Sequence, residues 1–232
     1  TKATNALLEH KGMPCVWITN KGFKDLLYIK TQQRPNIFQL DIPEPILLHS
    51  QVIEIEARID TNGNILNDLT RSDLTKLHAK LPEDKSTPIA ISLLHSYKFP
   101  LHERRLKKEL NKKGYTNIAI SSQLQPTIHF LPRSETAVCN AYLSHVMNNF
   151  IQSLLKKINK NDLYFISSSG QLINHHEYNP KDSLFSGPAG GIKAAEYFSK
   201  TYHIPNLITF DMGGTSTDTA RIDTTATLRY FS

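Results

Sequence analysis

The chain has 232 residues, with 27 Lys and Arg against 21 Asp and Glu, ten His and a formal net charge of +6. Hydrophobic residues make up 39% and charged residues 21%, which excludes a disordered chain and supplies apolar mass for a core of one or two domains. No apolar run approaches the roughly 18 residues of a membrane-spanning helix, and Cys15 and Cys139 are too few for a disulfide framework and wrongly spaced for zinc.

These bounds predict a cytoplasmic protein whose partners are neither membrane nor nucleic acid. The basic runs Arg104–Lys113 and Lys156–Lys160 lack interleaved aromatics and read as solvated helix faces. The chain opens on Thr1 without Met or signal region and closes on Phe231-Ser232 just after a strand-like run, so the expectation is an excised piece of a larger protein without a targeting segment.

In chain order, residues 1–11 read as a short helix with Ala3, Ala6 and Leu7 on one face and Gly12 as its cap. A strand is expected over 15–19, then a wandering connection over 33–48 that contains three prolines. Ile53, Ile55, Ala57 and Ile59 alternate with polar residues, the period of a half-buried strand, and Asn62-Gly63 marks a hairpin turn. Leu74, Leu77 and Leu81 recur at helical spacing behind a Thr70 cap. Residues 89–94 suit a strand covered on both faces, followed by a helix over 101–113 that stops at Gly114 and a strand over 118–120. That order predicts an α/β unit with a parallel pair. Ser134 is placed to cap a long core helix bearing Val138, Tyr142, Val146, Phe150 and Leu154, and a short strand is expected over 163–166.

Two later segments carry chemistry. Ser186-Gly187-Pro188-Ala189-Gly190-Gly191 reads as a glycine-rich loop opening a helix over 192–202, where backbone N–H groups of Gly187, Ala189, Gly190 and Gly191 suit an anion. A tight structural turn is the alternative. Residues 207–211 form a strand ending in a carboxylate, 212–217 a turn of glycines and hydroxyls, and 218–223 a returning strand. Such a hairpin surrounds a phosphate with N–H and O–H donors from Gly213, Gly214, Thr215, Ser216 and Thr217, with Asp211 and Asp218 as hard ligands for Mg²⁺.

Asp211-Met212-Gly213-Gly214-Thr215-Ser216-Thr217-Asp218 resembles the phosphate hairpin of the hydantoinase A/5-oxoprolinase family (N-methylhydantoinase A-type subunit), in the actin-like ATPase superfamily. Four further blocks are similar to that family in the same order: residues 3–9 with Lys11-Gly12, Leu94-His95-Ser96-Tyr97 with Pro100 and His102-Glu103, Glu135-Thr136-Ala137-Val138 with Asn140-Ala141-Tyr142, and Ser186 to Gly191. Thr219, Ala194 and Ser169-Gly170-Gln171 depart from the family pattern.

The resemblance implies an α/β fold of the actin-like ATPase (ribonuclease H-like) type. Residues 1–206 would be the interior of a first lobe with an inserted α/β segment, and 207–232 the opening hairpin of a second. The family's first phosphate hairpin and most of the second lobe have no counterpart here, so the isolated piece is expected to be inactive.

It further implies ATP and Mg²⁺ as cofactors and hydrolysis of a cyclic amide such as hydantoin or 5-oxoproline, with Asp211 and Asp218 as catalytic and metal-binding residues. A B-type hydantoinase subunit is the expected partner. An ATP-dependent ketone carboxylase subunit, an actin-like kinase and a non-catalytic interaction module are the rival readings. His95, His102 and Glu103 stand as candidates for metal or substrate at a strand end. His175-His176-Glu177 reads as a polar loop, and Cys139 as packing.

Overall fold

The computed structural model describes residues 2–33, 36–40, 43–158, 163–213 and 217–223. The chain forms two compact units, one of residues 10–149 and one joining the residues up to Glu9 with those from Phe150 onward.

The 10–149 unit is a doubly wound α/β body. Its elements are β1 (Cys15–Asn20), α2 (Leu26–Ile29), β2 (His49–Ile55), β3 (Arg58–Ile59), β4 (Ile65–Asn67), α3 (Arg71–Lys80), β5 (Ile89–Ile91), α4 (Leu101–Lys112), β6 (Ile118–Ile120), α5 (Ser121–Leu124) and most of α6 (Phe130–Leu155). The sheet runs β2-β1-β5-β6, every pair parallel. A parallel sheet needs crossovers that cover both faces, and β1 is accordingly buried along its whole length. Val16, Ile18, Ile89 and Ile91 pack with Leu77 of α3 and with Leu106 and Leu110 of α4. On the opposite face Trp17, Ala90 and Ala119 meet Ala137, Val138 and Ala141 of α6, where small residues on both sides let helix and sheet approach closely.

The expected strand across 53–59 divides in two. Ile53, Ile55, Ala57 and Ile59 are all buried, but β2 ends at Ile55 and β3 turns away to pair antiparallel with β4. The β3–β4 turn behaves as its sequence requires: Asp60 Oδ1 accepts from the N–H groups of Asn62 and Asn64, both at 2.8 Å, and Gly63 takes φ +96°. Thr70 caps α3 in a reciprocal capping box with Asp73.

Two expected caps are corrected. The residue with positive φ after the first helix is His10, at φ 54°, whereas Gly12 is small because the Tyr142 ring lies against it: an ideal Cβ there would stand 2.1 Å from the ring. Ser134 lies inside α6, its Oγ donating to Phe130 O at 2.8 Å, because Pro132 is tolerated in a first turn and the helix can start four residues earlier.

The other unit holds α1 (Lys2–Leu8), β7 (Tyr164–Ile166) paired with β8 (Leu172–Asn174), a 3-10 turn over Pro180–Ser183, α7 (Ser186–Thr201), β9 (Asn206–Met212) and β10 (Thr217–Asp223). Phe165 stacks on Tyr178 at 4.7 Å, and Thr4 Oγ1 donates to Leu184 O at 2.5 Å, tying α1 to the segment ahead of α7.

Candidate functional site

The two segments singled out for phosphate fall on neighbouring elements of one unit. Residues 186–191 are not a loop before a helix: α7 begins at Ser186, so they form its first turn and a half. N–H groups in a first turn have no intrahelical acceptor, so Pro188 costs nothing there. The change narrows the candidate donors. Ala189 N–H already bonds Phe185 O at 3.0 Å, and Gly190 and Gly191 sit within the helix. That leaves the Ser186 and Gly187 N–H groups at its open, positive end. A Cβ at Gly190 would lie 3.4 Å from Ile166 Cδ1, an ordinary contact.

β9 and β10 form an antiparallel hairpin in which Asp211 stands opposite Asp218, Thr209 opposite Ala220 and Leu207 opposite Ile222. Side chains alternate along a strand and directly opposed residues share a face, so all six lie together. This is the face packed on α7: Ile222 is buried and Leu207, Thr209 and Ala220 are half-buried. On the other face Ile208, Phe210 and Met212 are 77%, 69% and 71% exposed. Thr217, opposite Met212, belongs to that outer face, away from the carboxylates. Gly213 is exposed at the end of the ladder, and Gly214, Thr215 and Ser216 lie outside the described residues.

The 16 residues of α7 rise about 24 Å and the seven of β9 about 23 Å, with only residues 202–205 between them. Both strands of the hairpin contact α7, and Asp211 and Asp218 lie on the hairpin face that carries the residues half-buried or buried against it. Opposed side chains of this kind have Cβ atoms about 5 Å apart, and like charges there repel. A divalent cation taken by both carboxylates relieves that repulsion, so the donor set fits Mg²⁺.

The 10–149 unit offers a competing location, the turn after the first strand of a doubly wound sheet, where phosphates commonly bind. Here that turn is filled from within. The N–H groups of Gly22, Phe23 and Lys24 all donate to Glu54 Oε1, at 2.7, 3.1 and 3.2 Å. The protein's own carboxylate occupies the anion position.

The candidates at the ends of β5 and α4 are likewise engaged. His102 Nε2 lies 3.0 Å from Asp68 Oδ1. Glu103 is fully buried and accepts from Leu93 N–H at 2.9 Å, Ser96 Oγ at 2.8 Å, Ser121 Oγ at 2.6 Å and Ser122 N–H at 2.9 Å. Arg133 of α6, also fully buried, lies 3.7 Å from the same carboxylate, and donates to Leu93 O at 2.8 Å and to both serines. Burial pulls the Arg133 pKa down, against the pull of Glu103. No sequence pattern announces this partnership. His95 adopts φ 58° in the turn those groups hold.

His175 is buried with neither ring nitrogen hydrogen-bonded, its ring 3.8 Å from that of His176. Among the described residues no three His, Cys, Asp or Glu groups gather to hold a metal. Burial pushes the Cys15 and Cys139 thiols up to about 12 and about 11, so neither is a thiolate nucleophile at neutral pH. No described helix is long and apolar enough to cross a membrane.

Residues 1–114 match the sequence model of the hydantoinase/oxoprolinase N-terminal region, and residues 133–231 match that of hydantoinase/oxoprolinase itself. The chain belongs to the hydantoinase/oxoprolinase family. It is similar to a 5-oxoprolinase of Saccharomyces cerevisiae, 34% identical over 95% of this chain and 20% of that protein. The acetophenone carboxylase gamma subunit of Aromatoleum aromaticum is 25% identical over 96% of this chain and 33% of its own length. Among solved structures, the ATP-dependent caprolactamase of Pseudomonas jessenii superposes with a TM-score of 0.80 at 26% identity, over 95% of this chain and 34% of that one. The chain thus spans between a fifth and about a third of these relatives. By name they include an ATP-dependent caprolactamase, a 5-oxoprolinase and a subunit of a carboxylase.

Proposed function

We propose that this chain contributes one phosphate-binding wall to an ATP-dependent enzyme that opens a cyclic amide of the hydantoin or 5-oxoproline type. The observation that carries the reading is the β9–β10 register. It sets Asp211 opposite Asp218 on the α7 side of the hairpin. In this reading the fold is actin-like. Residues 1–206 belong to the first lobe, whose last helix is α7, and 207–232 open the second.

Asp211 and Asp218 would hold Mg²⁺, which neutralises phosphate charge when bound. The Gly213 backbone would come close to a phosphate without a side chain in the way, and Gly214, Thr215 and Ser216 would supply further N–H and O–H donors to it, whereas Thr217, on the outer face opposite Met212, would reach it only through its backbone. The α7 N-terminus would add its positive end. Positioning and charge neutralisation supply most of the catalysis in phosphoryl transfer. A B-type subunit is the proposed partner.

The 34% identity to a 5-oxoprolinase against 25% to a carboxylase subunit favours ring opening over carboxylation. The test is calorimetric Mg·ATP binding by the complete enzyme and its Asp211→Asn variant. Removing one charge-assisted ligand should weaken binding by about tenfold or more, and unchanged affinity would overturn the assignment. Product analysis separates the rivals: free phosphate with an opened ring for the hydrolase, a carboxylated ketone for the carboxylase, and a phosphorylated product for a kinase.

A further inference from the structure

The basic run that begins at Arg104 lies along α4. Arg104, Lys108 and Lys112 repeat every fourth residue along α4, and Lys107 stands beside them. Together with Asn111 of α4, Ile120 of β6 and Gln123 of α5 they line a shallow, open surface hollow of about 520 Å³.

Three facts distinguish this hollow from an ordinary charged surface. None of its lining residues is a carboxylate. Among the described residues Arg104, Lys107 and Lys108 have no carboxylate at ion-pair distance, and only Lys112 does, 2.6 Å from Glu109. Lys107 is half-buried with its ammonium held by a neutral group, Gln123 Oε1 at 3.0 Å. Burial accordingly pulls its pKa down. A partly desolvated cation without an anionic partner is costly, and Gln123, its oxygen accepting from Lys107, keeps its amide N–H groups as donors.

We propose that this hollow binds a small molecule carrying two or three linked phosphates, a site separate from the β9–β10 hairpin. Side chains at i and i+4 leave a helix from Cβ atoms about 6 Å apart, and the stripe from Arg104 to Lys112 extends about 12 Å, the scale of a linked phosphate chain. The same dimensions disfavour a nucleic acid: the stripe is a single short helix face, and no aromatic side chain lines it for base stacking.

The test is a titration of the full 232-residue chain with inorganic tripolyphosphate, in magnesium-free buffer containing a chelator and at low salt. It is read by calorimetry and by the NMR signals of the Asn111 and Gln123 side-chain amides. Saturable binding is expected, with both amide signals moving. Lys107→Gln should weaken it about tenfold or more, as should Arg104→Gln together with Lys108→Gln at exposed positions that cannot disturb the core. Asp211→Asn should leave it unchanged, which keeps this site's fate distinct from that of the hairpin. Amide signals that stay in place, or affinity that survives both sets of α4 substitutions, would mean an adventitious ion only and would overturn the proposal. So would binding abolished by Asp211→Asn.

Discussion

At His49 the imidazole lies 5.6 Å from the Trp17 ring, and burial holds its pKa below the 6.5 of a free histidine. Its Nδ1 is buried without a hydrogen bond. The unfolded chain therefore binds a proton here more readily than the folded one, so stability rises with pH across this range. It is intact above about 6.5 and is lost as the pH falls below that value. His78, whose pKa is lowered first by burial and then by Lys113, adds in the same direction. Urea midpoints should drop between pH 7.5 and 5.5, and His49→Phe should flatten that drop without abolishing it. A steric prediction belongs to Gly12. An alanine methyl 2.1 Å from the Tyr142 ring forces a ring that is almost fully buried to move, and Gly12→Ala should cost about 1–3 kcal/mol in denaturant unfolding.

Among the elements, the Glu103–Arg133 pair is the knot. It joins the turn after β5, the start of α5, the first turn of α4 and the N-terminal end of α6 through groups wholly removed from water. Glu103→Gln strands a buried guanidinium and should cost about 3–5 kcal/mol. Glu103→Leu combined with Arg133→Met should recover much of it, because an apolar pair replaces both charges together. A double-mutant cycle on urea unfolding measures the coupling, and additive losses would refute it. Nothing in the sequence foretells this pairing, since the partners lie 30 residues apart on helices whose patterns show only which face is apolar. The alternation at 53–59 was legible as burial but not as two sheets, because a bend after Ile55 leaves the inward rhythm intact. The glycines of 186–191 suggested a loop, since glycine and proline disfavour helix interiors. Their helical state depends on Pro188 falling in the first turn. The spacing of Asp211 and Asp218 was readable from the hairpin pattern, whereas the face they share, and the exclusion of Thr217 from it, required the register.

For the molecule as a whole, the two family-model matches meet chemistry of different kinds. The 10–149 unit has the doubly wound form associated with phosphate binding, yet Glu54 already fills the anion position after β1. The paired carboxylates instead belong to the unit that contains α7 and the hairpin. That hairpin also carries a colloidal liability. Asn206-Leu207-Ile208-Thr209-Phe210-Asp211-Met212 is a seven-residue strand rich in β-formers, without proline, and its outer face presents three large apolar side chains to water. Such segments stack into cross-β assemblies when chains meet. Phe210→Ser should therefore slow the growth of light scattering in concentrated solution, and Asp211→Asn should hasten it. Asp211 is the strand's one acidic side chain, and in that capacity it is a gatekeeper: the carboxylate proposed to meet a metal ion in the folded enzyme also keeps neighbouring copies of the strand from zipping together.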